Sequence, residues 1–159
     1  MSEIETLEGD LNARGKRFAI VAARFNSRIV DRMVDGAVSC LLRHGAAAED
    51  VRVIRVPGAW ELPFALEEVA AAGNVDALVA VATVIRGETP HFDFVAGECS
   101  SGVAQVSSRH RLPIGFGVLT CDNSAQAEER SGGKVGNKGW EAAAAALEMA
   151  SLAAQLRND

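Results

Sequence analysis

A chain of 159 residues with 48% hydrophobic content is long enough for one packed core and too short to divide into two, so a single domain over residues 1–159 is expected. Lysine and arginine number 16 against 21 acidic residues, and no basic run is interleaved with aromatics, which argues against nucleic acid as a partner. Apolar stretches break well short of a bilayer span, and Glu3, Glu5 and Glu8 stand where a signal peptide would be basic and then apolar, so no membrane partner and a cytoplasmic location are expected.

Residues 1–12 read as an N-terminal arm in which Ile4 and Leu7 are isolated apolar positions among acids. Such an arm is either mobile or an edge strand added to the sheet of a neighbouring subunit. Phe18 to Ala23 is continuously apolar, as expected of a strand covered on both faces. Asn26 and Ser27 are suited to cap a helix in which Val30, Met33, Val34, Ala37, Val38, Leu41 and Leu42 recur at helical spacing until His44-Gly45.

Val51 to Val56 reads as a strand and Glu61 to Ala72 as a helix, with Pro63 in its first turn and Gly73 at its end. A strand from Ala77 to Thr83 precedes a helix from Pro90 towards Arg109, along which Phe92, Val95, Cys99, Gly102, Val103 and Val106 form one stripe. Ile114 to Leu119 is a fourth strand, Ser124 to Arg130 a short helix, and Trp140 to Leu156 a long alanine-rich helix. Strands alternating with helices imply a three-layer α/β/α sandwich on a four-stranded parallel sheet.

Cys40, Cys99 and Cys121 are odd in number, far apart and in no Cys-x-x-Cys pair, so they read as small buried hydrophobes, with neither a disulfide framework nor a metal site signalled.

Ligands of parallel sheets bind beyond the carboxyl ends of the strands. Four segments should meet there: Arg24 to Asn26, Pro57 to Glu61, Val84 to His91, and Thr120 to Asp122. In Arg86-Gly87-Glu88-Thr89-Pro90-His91, Thr89 is suited to cap the following helix, Pro90 to its first position, and Gly87 to a close backbone approach by a ligand. Free amides at that helix start would hold a phosphate, and His91 would exchange protons with it. The Glu88 carboxylate would have to point away, leaving only its amide to bind. A capped turn with a surface histidine is the plainer alternative, Phe25 is either a core cap or a stacking surface, and Glu61, Arg130 and Lys138 each have ordinary roles as helix-end or loop charges.

Together the motifs resemble a family. Arg24-Phe25-Asn26, Val56 through Pro63, Val84 through Asp93, Phe116 through Thr120, Gln126 through Arg130 and Gly136 through Gly139 are similar in order and spacing to lumazine synthases. The resemblance implies a flavodoxin-like fold and a transferase. Its reaction condenses 5-amino-6-(D-ribitylamino)uracil with 3,4-dihydroxy-2-butanone 4-phosphate to 6,7-dimethyl-8-ribityllumazine, phosphate and water, the penultimate step of riboflavin synthesis, with no cofactor. The amine would form an imine with the ketone, phosphate would be eliminated, and the resulting carbonyl would close on the second nitrogen.

By the same resemblance Phe25 would stack on the pyrimidine, Ala59, Trp60 and Glu61 would hold the ribityl chain, and Thr83, Val84 and Ile85 would offer backbone to the uracil edge. Gly87, Glu88 and Thr89 would bind phosphate, His91 would carry protons, and Phe116, Arg130 and Lys138 would come from the neighbouring subunit, with Arg130 on the phosphate. Trp140 is expected to pack and Glu141 to pair with a cation. The implied assembly is a homopentamer closing into an icosahedral shell, because the Ser131–Gly136 loop is short, with riboflavin synthase as a cargo. The alternative reading is a non-catalytic flavin-binding or shell-forming storage protein.

Overall fold

Four strands are set by apolar sequence: β1 (Phe18–Ala23), β2 (Val51–Val56), β3 (Ala77–Ile85) and β4 (Ile114–Cys121). In the computed structural model, which describes residues 3–159, they pair in parallel in the order β2-β1-β3-β4. Of the two central strands, β1 is apolar throughout and β3 is apolar except at the buried Thr83, whereas β2 carries Arg52 and Arg55 and lies at an edge, where charge reaches water.

Side chains alternate between two cores. On one face Phe18, Ile20 and Ala22 of β1 and Val79 and Val81 of β3 pack against α1 (Ser27–Arg43) and α5 (Lys138–Arg157). On the other, Ala19, Val21, Leu78 and Ala80 pack against α2 (Leu62–Ala72) and α3 (His91–His110). The expected three-layer sandwich is the observed one. The stripe foreseen on α3 also holds, with Cys99, Val103 and Val106 buried at its centre. No helix among the described residues is long and apolar enough to cross a membrane.

Several boundaries differ from expectation. β3 continues to Ile85 and β4 to Cys121, because polar or half-exposed residues at their ends still keep the ladder, with Val84 opposite Thr120 and Ile85 opposite Cys121. After α4 (Ser124–Arg130), the glycine-rich loop contains a small antiparallel pair, β5 (Ser131–Gly133) and β6 (Gly136–Asn137), too short to show any alternation. α5 begins at Lys138, two residues before Trp140, because Asn137 Oδ1 accepts hydrogen bonds from the amides of Gly139 (2.9 Å) and Trp140 (3.1 Å). Trp140 packs as expected, half-buried against the core and edge-on to His44, with ring centroids 6.1 Å apart. Glu141 makes no ion pair among the described residues; it faces the groove beside β4 instead.

The first turn of α5 lies directly on α1. A Cβ at Gly139 would fall inside the Met33 main-chain carbonyl, and backbone cannot give way as a flexible side chain does. Gly139→Ala is therefore expected to cost about 3 kcal/mol, or roughly 10 °C in Tm, by forcing the two helices apart. An unchanged Tm would show that the helices tolerate a wider spacing.

Candidate functional site

The sheet order reverses between β1 and β3, so the connections leaving them diverge to opposite faces and open a crevice beyond their carboxyl ends. Hydrogen bonds tie the four predicted segments together there. The Arg24 amide donates to the Val56 carbonyl (2.7 Å), the Phe25 amide to the Pro57 carbonyl (3.0 Å), and the Arg86 amide to the Cys121 carbonyl (2.8 Å). The Asn26 side-chain amide donates to the Thr83 carbonyl (2.9 Å).

Around this crevice Phe25 is 71% and Trp60 59% exposed, although a core would take either ring. Phe25 is thus no core cap; it presents a flat apolar surface to whatever occupies the crevice. Ala59 is buried and Glu61 half-buried, in a short 3-10 turn (Ala59–Glu61) that leads into α2, which therefore begins one residue later than expected. Thr83 is 4% exposed, and its Oγ1 has no hydrogen-bond partner among the described residues. Val84 and Ile85 follow, half-buried.

Residues Arg86 to His91 are all exposed. Thr89 does not cap α3. The residue before the helix is Pro90, with no side-chain cap, and the helix starts one residue later than expected. Thr89 stands one position too far back to cap, so its hydroxyl is not spent on the helix. In the first turn of α3 the Asp93 amide donates to the Pro90 carbonyl (3.0 Å), while those of His91 and Phe92 have no intrahelical acceptor, and nothing lies within 4 Å of where a Cβ would stand on Gly87, so an anion has room to approach the backbone. The His91 ring makes no hydrogen bond or ion pair among the described residues, which leaves it free to exchange a proton.

Arg86, given no role of its own from sequence, organises the loop. Its Nε donates to Asp122 Oδ1 (3.2 Å), its Nη1 to Asp93 Oδ1 (3.4 Å), and its guanidinium lies 4.3 Å from the centre of the Phe92 ring. It neutralises two carboxylates that would otherwise repel a phosphate at the helix start. Only the Arg86 to Asp93 spacing, spanning a strand end and the next helix's first turn, hints at this in the sequence.

Phe116, Arg130 and Lys138 form a second group. They line a concavity of about 520 Å³ along β4, together with Thr120, Cys121 and Gln126. Arg130 Nη1 donates to the Gln126 carbonyl (3.1 Å) and lies 3.7 Å from Glu129 Oε2, leaving most of its five N–H donors unused. Burial pushes the Cys121 thiol up, with Arg130 opposing the shift and Asp122 adding to it. Cys40 and Cys99 are pushed up by burial to about 11. None of the three is a ready thiolate at neutral pH, which agrees with reading them as buried hydrophobes. Neither Phe25, Trp60, Glu61 nor His91 lines the concavity that holds Arg130, so the foreseen residues fall into two groups on one chain.

Residues 15–154 match the sequence profile of the family described as 6,7-dimethyl-8-ribityllumazine synthase. The protein of that name from Aquifex aeolicus (strain VF5) is 53% identical over 154 residues, covering 97% of this chain and 100% of the relative. Those of Desulfovibrio desulfuricans (strain ATCC 27774 / DSM 6949 / MB) and Nitratidesulfovibrio vulgaris (strain DSM 19637 / Miyazaki F) are 52% and 51% identical, each over 98% of this chain and 100% of the relative.

Proposed function

The chain belongs to the 6,7-dimethyl-8-ribityllumazine synthase family, and from that premise we propose that it condenses 5-amino-6-(D-ribitylamino)uracil with 3,4-dihydroxy-2-butanone 4-phosphate in riboflavin biosynthesis. It is a transferase acting on small molecules as a homo-oligomer. The observation that carries the site assignment is the division of the foreseen residues into two groups, one at the β1/β3 crevice and one beside the edge strand β4. Each group is half of what the reaction needs. A neighbouring copy that brings its β4 edge to the crevice would complete the site.

In this reading residues 1–159 form one catalytic domain. Phe25 stacks on the pyrimidine; Ala59, Trp60 and Glu61 hold the ribityl chain; Thr83, Val84 and Ile85 present backbone to the uracil edge. Gly87, Glu88 and Thr89 bind phosphate through amides and the free Thr89 hydroxyl, and Arg130 of a neighbouring copy adds a charge-assisted contact, with Phe116 and Lys138 closing over the pyrimidine. His91 takes and returns protons as the imine forms, as phosphate leaves and as the ring closes. Mixing the two substrates should give the absorbance and fluorescence of the lumazine product. Tight flavin binding without turnover would instead favour a carrier.

Assembly follows from the arm. Its residues 8–10 are clasped to α5: the Asp10 amide donates to Ser151 Oγ (3.0 Å), Gln155 Nε2 to the Glu8 carbonyl (2.8 Å), and Gly9 lies so close to the Glu148 carbonyl that no side chain fits. Beyond this clasp the arm leaves the subunit, with Ile4 91% exposed. The acidic segment suits the open edge of β2 on a neighbour, where Arg52 is exposed, while Arg55 already pairs with Asp31 (2.8 Å). Pentamers joined through such arms would close into an icosahedral shell in the cytoplasm, with riboflavin synthase as its cargo. Light scattering is expected to report a particle far larger than a pentamer; pentamers alone across ordinary buffers would contradict the shell.

A further inference from the structure

Asn26 stands directly before α1, where asparagine ordinarily accepts an amide hydrogen bond and caps the helix. It does not do so here. Its backbone lies in the left-handed region, at φ 60 and ψ 42, and its side chain caps nothing. The other non-glycine residue with positive φ among those described is Arg111, which ends α3, a usual place for that conformation. Asn26 has no such excuse, since helices do not ordinarily begin this way. A disfavoured backbone persists where its surroundings hold it: the Asn26 carbonyl accepts from the Ile29 and Val30 amides (3.0 Å each), and the one contact from beyond the helix is the 2.9 Å bond from its side-chain amide to the Thr83 carbonyl, across 57 residues of sequence.

The consequence falls on Phe25. Its own amide is bound to the Pro57 carbonyl at the end of β2 (3.0 Å), and the next residue is bound to the end of β3, so its backbone is pinned on both sides of the crevice. The ring is 71% exposed and has little packing of its own to set its direction. We propose that Asn26 is a positioning residue, whose left-handed backbone and side-chain bond to Thr83 aim the Phe25 ring at the pyrimidine substrate. The proposal rests on the reading of Phe25 as the stacking surface.

Asn26→Gly keeps the permissive backbone and loses the donor. Asn26→Asp keeps shape and backbone but turns a carboxylate towards a carbonyl oxygen. Steady-state rates with each substrate varied in turn should show KM for the ribitylaminouracil raised about fivefold in both variants, the value of one hydrogen bond, while kcat and KM for the butanone phosphate stay within about twofold. In a Phe25→Ala background neither change should raise that KM further, because the ring it aims is gone. Equal rises in both KM values, additive effects with Phe25→Ala, or an unchanged pyrimidine KM where Phe25→Ala alone raises it would overturn the proposal. If Phe25→Ala itself leaves the pyrimidine KM unchanged, the stacking reading falls, and the positioning role with it.

Discussion

His91→Ala is expected to lower kcat about a hundredfold and to leave the fold intact, the usual cost of removing a positioned acid-base group. The side chain is exposed at the first turn of α3 and makes no hydrogen bond or ion pair among the described residues, so its removal breaks no internal contact. In the proposed site its neighbours are the amides of residues 87–89, read as the phosphate-binding ones, so the ring would stand beside the leaving phosphate and the forming imine. Both KM values should move little, because the proposed site assigns phosphate and pyrimidine to other groups. Rapid-mixing or steady-state rates, with Tm as the control for folding, would test this; an undiminished kcat would remove His91 from the chemistry.

Arg130→Ala should act on the other parameter. The guanidinium spends one donor on the Gln126 carbonyl and faces an open concavity with the rest. Losing a charge-assisted contact to phosphate is expected to raise KM for the butanone phosphate at least about tenfold, with KM for the ribitylaminouracil nearly unchanged. An equal loss for both substrates would mean that Arg130 supports the groove rather than the phosphate.

Much of the scaffold is legible in the chain because its strands are extreme. Phe18 to Ala23 and Ala77 to Ala82 contain no charge, and only a strand covered on both faces tolerates that. The helix stripes follow from spacing alone. What failed were the local capping rules. Asn26 and Thr89 have the right residue types, but Asn26 is drawn away by a carbonyl on β3 that no local window contains, and Thr89 is separated from its helix by Pro90, which takes the cap position. The β5–β6 pair is missed because glycines show no face. Glu141 was expected to find a cation and faces the groove instead.

The residues of the proposed site were also legible one by one, but their division between copies came from the family resemblance and from no local pattern. That Phe116 and Arg130 stand apart from Phe25 and His91 depends on β4 being an edge strand, which only the order of the sheet decides. Arg86 escaped notice for the same reason: its two aspartates belong to different elements, the start of α3 and the end of β4.

The division of the site between copies has a direct test. His91→Ala and Arg130→Ala chains are unfolded together, reassembled and assayed at low butanone phosphate, where the parents alone should keep about a hundredth and at most about a tenth of the unmutated rate. If the two groups meet across a subunit boundary, random mixing places an intact His91 opposite an intact Arg130 in about a quarter of the sites, and activity returns to about that fraction of the unmutated protein's rate. Activity no greater than the sum of the two separate parents would place both residues in a site made by one chain, and would contradict the account.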